Sequence, residues 1–140
     1  MRRYLVVANQ TLGGEHLLDK VRECVAAGPS HFHVLVPASP PHDHLTATEG
    51  QARTAAERRM EEAVAAFRQL GAEVDGSVGD ARPAQAVADV LRHHVFDEII
   101  LSTFPAGPSR WLRQDLVHRL ERMCTVPVTH IVADRTPALQ

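Results

Sequence analysis

Short apolar runs that alternate with longer segments of helical spacing are the strongest constraint on how this chain folds. The run Tyr4 to Ala8 is apolar without interruption, and the run Asp97 to Ser102 contains three consecutive aliphatic residues. Such runs are typical of strands that are buried on both faces, as in a parallel sheet covered by helices. The pattern therefore predicts an α/β domain.

The alternation predicts strands and helices in strict succession. Strands are expected at 4–8, 31–36, 73–78, 97–102 and 126–133, and helices at 15–27, from a capping box at Thr46 to Leu70, from Pro83, and from about Ser109 to Met123. Because a helix follows every strand but the last, the strands should be parallel and the crossovers right-handed. We predict a doubly wound open sheet of five parallel strands with four helices. It forms one domain, 1–134, followed by a polar tail, 135–140.

Composition argues against several classes of function. The 140 residues carry a formal net charge of −2, so the chain has no excess positive charge with which to bind nucleic acid or an anionic membrane. Cys24 and Cys124 lack metal-type spacing and are expected to be buried or half-buried thiols, which suits a reducing compartment. The apolar stretches are too short for a signal-peptide core or a membrane span, so we predict a cytoplasmic protein.

The carboxyl ends of the predicted strands indicate where a ligand would bind. In doubly wound sheets the ligand crevice lies beyond these ends, at the point where the strand order reverses. In this chain that position brings in Asn9, Val36, Pro37, Asp80 and the loop that follows Ser102. These residues are our first candidates for a binding site.

Four segments resemble, in order and spacing, those of the universal stress protein family over nearly the whole chain. The first strand resembles the family's opening strand, and Gly79-Asp80 with Pro83 resembles its Gly-Asp-Pro turn. Phe96 to Ser102 resembles its fourth strand, and Val126-Pro127-Val128 resembles the Cys-Pro-Val that opens its last strand. The resemblance implies the fold of that family, adenine nucleotide alpha hydrolase-like, with strand order 3-2-1-4-5. The family has an ATP-binding branch and a non-nucleotide branch.

The ATP-binding branch carries Gly-x-x-Gly, nine residues, and then Gly-Ser or Gly-Thr after the fourth strand. Matched residue by residue, with a one-residue shortening, these glycines fall on Ser102, Phe104 and Gln114, and Asp115 follows. A Cβ at each position closes the approach of the backbone to a phosphate, and Asp115 adds a negative charge. Asn9 replaces the aspartate of the family's first strand. The resemblance therefore implies a degenerate ATP-binding motif.

The start of the fourth helix offers another way to hold an anion. Ser109 opens this helix, and Arg110 and Arg113 lie one turn apart near its free amides. Guanidinium groups in this place would substitute for the missing glycines. The alternative interpretation is that both arginines are solvated. With such an altered phosphate loop the chain would bind an adenine nucleotide, ATP or AMP.

The last strand is the candidate dimer interface. The family's usual dimer pairs fifth strands across a two-fold axis, and the resemblance implies a homodimer of the same kind. We assign Val126, Val128, His130 and Val132 to this interface. The strand is apolar enough to form it, and an unpaired edge of this kind otherwise invites aggregation.

Signals for metal binding and catalysis are weak. His42-x-His44 with Asp43 supplies too few ligands for a metal site, so we predict none. No G-x-S-x-G elbow surrounds Ser102 or Ser109, and neither a dinucleotide fingerprint nor a Walker A loop is present. We predict a non-catalytic, dimeric regulatory or stress-response domain without family-type ATP binding. Two alternatives stay open: an adenine-nucleotide-binding module with an altered phosphate loop, and a small hydrolase on the nucleotide-binding fold.

Overall fold

The computed structural model describes residues 1–9, 11–38, 49–104 and 110–133. Within these ranges strands and helices alternate as the sequence predicts. In chain order they are β1 (Arg2–Val7), α1 (Glu15–Ala27), β2 (Ser30–Pro37), α2 (Glu49–Gln69), β3 (Glu73–Gly79), α3 (Pro83–Leu91), β4 (Glu98–Thr103), α4 (Arg110–Met123) and β5 (Val128–Val132). None of the helices in the described ranges has the length and apolar character needed to cross a membrane.

The strands form one parallel sheet of order β3-β2-β1-β4-β5, so the predicted topology is confirmed. The central strand is β1, whose Val6 pairs with Val34 of β2 on one side and with Ile100 of β4 on the other. The chain winds outward from β1 first in one direction and then in the other. The strand order therefore reverses between β1 and β4, which is where such folds bind ligands.

Each face of the sheet is covered by two helices and has its own apolar core. One core joins α1 and α2 to the sheet and contains Val6, Phe32 and Phe67. The other joins α3 and α4 to the opposite face and contains Leu5 and Leu120. Consecutive residues of a strand point to opposite faces, which is why Leu5 and Val6 are both fully buried. Burying side chains of this size stabilises the fold by about 1.5–3 kcal/mol each.

Gly76 interrupts the apolar pattern of the third strand, yet β3 continues through it to Gly79. A Cβ at Gly76 would lie 2.8 Å from both Cγ and Sδ of Met60 on α2. The glycine therefore makes room for α2 to pack closely on the sheet, which is a common reason for glycine inside a strand.

One expectation about the last strand is wrong. The fifth strand begins at Val128 rather than Val126, and the intervening Pro127 has no amide hydrogen with which to extend the sheet. Met123, the last residue of α4, is exposed, because the helix ends beyond the core that holds Leu120. Two predicted features lie wholly or largely outside the described residues: the capping box at Thr46 and the tail 135–140.

Candidate functional site

Polar side chains meet at the switch point, where the carboxyl ends of β1 and β4 lie side by side. Asn9 and Thr11 follow β1, Ser102 belongs to β4, and Arg59 reaches them from α2. We call these four residues the switch-point cluster. Their position agrees with the general rule for ligand sites in doubly wound sheets.

Both ends of the Asn9 side-chain amide are engaged. Its Nδ2 donates a hydrogen bond of 2.8 Å to the carbonyl oxygen of Pro37 at the end of β2. Its Oδ1 accepts a hydrogen bond of 2.8 Å from Nη1 of Arg59. Asn9 therefore ties the end of β1 to β2 and holds a guanidinium group at the site.

Thr11 and Ser102 form a buried hydroxyl pair. Their side-chain oxygens are 2.8 Å apart, and Thr11 Oγ1 also donates a hydrogen bond of 3.2 Å to the carbonyl oxygen of Ser102. Since Thr11 gives its one hydroxyl hydrogen to that carbonyl, Ser102 donates to Thr11. The two residues are only 4% and 5% exposed, so both hydroxyls are satisfied inside the protein and turned away from solvent.

Of the other predicted site residues, Pro37 contacts this cluster through the hydrogen bond from Asn9, whereas Val36 and Asp80 do not belong to it. Val36 is fully buried in the core beneath α1 and α2, and Asp80 follows the edge strand β3. Hydrogen bonds from the side chain and the amide of Arg82 lower the pKa of the Asp80 carboxyl. Outside the described part of the chain lie Ser109 and the side chains of Arg110 and Arg113.

A second polar cluster lies in a cleft between β2, the edge strand β3 and α3, with a volume of about 530 Å³. His33 of β2 lies between Asp75 and Ser77 of β3. Its Nδ1 is 2.9 Å from Oδ1 of Asp75, and its Nε2 is 2.9 Å from Oγ of Ser77. We call these three residues the His33 cluster, and they form one continuous chain of hydrogen bonds.

Burial sets the charge of His33. The residue is buried, and its ring stacks on that of His94 with the centroids 5.6 Å apart. Desolvation lowers the pKa of His33 and outweighs the hydrogen bond and charge of Asp75, which raise it. The imidazole is therefore neutral at pH 7, with a single protonated ring nitrogen.

No protein-family model matches the chain, and no curated protein matches it in sequence. Solved structures do match. A universal stress protein from Archaeoglobus fulgidus in complex with dAMP superposes with a TM-score of 0.59 at 14% identity, over 94% of this chain and 97% of that one. A hypothetical protein whose biochemical function was assigned from its structure superposes with a TM-score of 0.62 at 14% identity, over 97% of both chains. A universal stress protein in complex with cAMP gives 0.50 at 13% identity, over 94% of this chain and 97% of that one. This chain has the universal stress protein fold.

The resemblance seen in the sequence is thus confirmed at the level of the fold. Similarity to solved structures at 13–14% identity shows the arrangement of strands and helices. It does not show the function, because function depends on the site rather than on the fold. The degenerate ATP motif remains a prediction. Of its three matched glycine positions, Ser102 and Phe104 are described, and the side chain of Gln114 is not.

Strand register within this universal stress protein fold brings the His33 cluster together. His33 lies opposite Asp75 across the β2–β3 ladder, and Leu35 lies opposite Ser77. Alternate residues of a strand share one face, so Asp75 and Ser77 flank the imidazole. This cluster was not predicted from the sequence. Its signal was the presence of polar residues at alternate positions in two neighbouring strands.

The opposite edge of the sheet is β5. Val132 is 46% exposed, while Val126 and Val128 are half-buried against the core beneath α3 and α4. His130 is exposed, and its Nε2 lies 2.7 Å from Oγ1 of Thr103. Val126 precedes the strand rather than belonging to it. An edge of this apolar character suits the predicted dimer interface, which stays a prediction.

Proposed function

We propose that this chain, a single domain over 1–134, is a regulatory or stress-response member of the universal stress protein family that works in the cytoplasm as a homodimer. At the switch point it is non-catalytic and lacks family-type ATP binding. The hydroxyl pair of Thr11 and Ser102 carries the proposal. Ser102 stands where the ATP-binding branch has its first glycine. Its hydroxyl is already bonded inside the protein, and its Cβ keeps a phosphate from the backbone.

The Asn9 amide supports the same proposal. A nucleotide would gain a hydrogen bond from it only by displacing the carbonyl oxygen of Pro37 or the guanidinium of Arg59. Exchanging one hydrogen bond for another yields little net free energy, because the displaced group must find a new partner. The site is therefore better arranged to hold its own strands together than to hold a triphosphate.

An adenine mononucleotide is the second candidate ligand, and Arg59 is the observation that favours it. The Arg59 guanidinium reaches the end of β1, and among the described residues it forms no ion pair with a carboxylate. One guanidinium group matches the charge of a single phosphate better than that of three. Two structurally similar proteins are complexed with dAMP and cAMP.

Isothermal titration of freshly purified protein with ATP and with AMP, each with and without magnesium, separates the two candidates. The first proposal expects no heat with either nucleotide and no nucleotide absorbance in the purified protein. Binding of AMP alone at micromolar Kd, about −8 kcal/mol, would favour the second. Micromolar binding of ATP would contradict both.

Arg59→Ala then tests the residue that the second candidate depends on. The variant should abolish any AMP binding seen in the wild type. Its matched control is Arg58→Ala, which removes the neighbouring exposed guanidinium on α2 and should leave AMP binding unchanged. Equal loss in both variants would mean that Arg59 contributes only general positive charge.

Dimerisation through β5 is tested by light scattering on a sizing column. The wild type should elute with the mass of a dimer. Val132→Glu places a charge on the exposed edge and should shift the protein to monomer. Val95→Glu is the matched control, since Val95 is 82% exposed and lies outside β5. A monomeric wild type, or a dimer that survives Val132→Glu, would contradict this interface.

A further inference from the structure

We propose that the His33 cluster is the active site of a hydrolase for small neutral carboxylic esters, with Ser77 as the nucleophile and His33 as its general base. Asp75 orients the imidazole. The cleft lies at the β3 edge of the sheet, away from the switch-point cluster, and the proposal does not depend on whether a nucleotide binds there. Ser77 and His33 then have catalytic roles and Asp75 a positioning role, and no sequence motif marks any of the three.

Hydrogen bonding fixes where the protons of the cluster lie. A carboxylate only accepts hydrogen bonds, so Nδ1 of His33, 2.9 Å from Oδ1 of Asp75, carries the single proton of the neutral ring. The unprotonated Nε2 must then accept the hydroxyl hydrogen of Ser77, whose Oγ is 2.9 Å away. Carboxylate, imidazole and hydroxyl stand in the order that activates serine for acyl transfer.

The surroundings hold His33 in the form that accepts a proton. Stacked His94 and the ring of Phe96, whose centroid is 6.2 Å from that of His33, cover the imidazole. The burial lowers the His33 pKa, so the ring is unprotonated at neutral pH. Nε2 of His31 also lies 3.4 Å from Oδ1 of Asp75 and helps to hold that carboxylate in place.

A ligand can reach the reacting groups, because Ser77 and His33 both line the cleft. Its volume of about 530 Å³ lies within the range of small-molecule sites. Arg53 is the one permanent cation among the described lining residues, and its exposed side chain, with Nε 3.8 Å from Oε1 of Glu57, places positive charge at the wall of the cleft. Asp80 and Asp89 line the cleft as well, so an uncharged ester suits it better than an anionic one.

The reaction balances with water as the only co-substrate. Oγ of Ser77 attacks the ester carbonyl carbon while its proton passes to Nε2 of His33. The bond from that carbon to the alcohol oxygen breaks, and the alcohol leaves with the proton. Water then gives a proton to Nε2 as its oxygen attacks the acyl carbon. The acid is released, and the proton returns to Oγ of Ser77.

A fluorophosphonate probe tests the nucleophile directly. Oγ of Ser77 should displace fluoride from phosphorus while its proton passes to His33 and on to solvent. The added mass should appear on the tryptic peptide 69–92, in which Ser77 is the only hydroxyl-bearing residue. A wild-type protein without label on this peptide would overturn the proposal, whatever the variants do.

Three variants assign the roles. Ser77→Ala should carry no label on the peptide 69–92. His33→Gln keeps Ser77 but removes the base, and its labelling rate should fall at least about 100-fold. His118→Gln, which removes an exposed imidazole on α4, should label at the wild-type rate. Unchanged labelling in His33→Gln would overturn the assigned base.

Asp75→Asn tests the same mechanism without depending on the folding of His33→Gln. The Asp75 side chain is 57% exposed, so its replacement should leave the fold intact. An asparagine amide donates to Nδ1 and so places the ring proton on Nε2, facing Ser77. We expect labelling at least about 100-fold slower, at an unchanged thermal midpoint. Wild-type labelling in a folded Asp75→Asn protein would remove Asp75 from the mechanism.

Turnover of p-nitrophenyl acetate completes the test. Exposed imidazoles also hydrolyse this ester slowly, so the quantity to compare is the saturable rate of the wild type against that of Ser77→Ala. We expect the saturable rate to be lost in Ser77→Ala and retained in His118→Gln. Equal rates in the wild type and Ser77→Ala would overturn the hydrolase proposal, even if the probe labels Ser77.

Discussion

Two serines of this sheet stand in hydrogen-bonded chains, and their partners differ. Ser102 donates to Thr11 at the switch point, where both residues are buried. Ser77 donates to His33 on the wall of an open cleft. A threonine hydroxyl shares a hydrogen bond but cannot take up a proton at neutral pH, whereas a neutral imidazole can. The chemistry of a serine is therefore set by the basicity of its partner and by access to a ligand.

Burial acts differently in the two clusters. At the switch point it encloses neutral hydroxyls that are fully paired, and this joins the loop after β1 to β4. In the cleft it lowers the pKa of an ionisable ring and thereby prepares a base. At the switch point the hydrogen bonds offset the cost of desolvating the hydroxyls, whereas in the cleft desolvation sets the reactivity of His33.

The largest expected effect separates the two serines within one sample. In the wild-type protein a fluorophosphonate should label Ser77 at least about 100-fold faster than Ser102, because general-base assistance is typically worth that factor or more. Quantitative peptide mapping over time measures both rates. Labelling of Ser102 at a rate comparable to that of Ser77 would contradict the claim that only Ser77 is activated by its hydrogen-bond partner.

A smaller effect, on stability, should arise from the switch-point cluster. Thr11→Val keeps the shape of the side chain but leaves the buried Ser102 hydroxyl without its acceptor, which costs about 1–3 kcal/mol. Urea unfolding measures this loss. The double variant Thr11→Val with Ser102→Ala should be less destabilised than the sum of the two single variants, and additivity would argue against a shared hydrogen bond.

The next effect is on the pH dependence of stability and concerns His33. The pKa of His33 in the folded protein lies below the usual value of about 6.5. Between these two pKa values the unfolded chain binds a proton at His33 that the folded chain does not bind. Stability should therefore be unaffected above pH 6.5 and should fall as the pH drops from 6.5 towards the lowered folded pKa. Urea midpoints between pH 7.5 and 5 should show a shallower slope in His33→Gln, and the wild-type slope in His118→Gln.

The smallest effect is expected at Asp80, whose ion pair with Arg82 is largely exposed. Water screens such pairs, so Asp80→Asn should change the urea midpoint little at pH 7. The folded pKa of Asp80 is lowered, so whatever stability it contributes is lost as the pH falls through that value. A large loss of stability in Asp80→Asn at pH 7 would show that the β3–α3 turn is held mainly by this pair.

Much of the fold was predictable because buried strands have a recognisable pattern of apolar residues over a few neighbouring positions. The alternation in β2 places Phe32 and Val34 on one face and His33 and Leu35 on the other, and Phe32 and Val34 lie in one core whereas Leu35 lies in the other. The site was predictable only in part. Asn9 was found from its place at the end of β1, but Arg59, 50 residues away, carries no local mark of its role.

The strand order 3-2-1-4-5 was implied by the resemblance to the universal stress protein family. The sequence by itself determined the succession of strands and helices and, through the crossovers, the parallel sheet. These follow from periodicity and burial, which act over neighbouring residues. Only the tertiary structure decided which polar groups meet. Asp75 and Ser77 lie 42 and 44 residues from His33, and the register that unites them is set by the packing of the whole sheet.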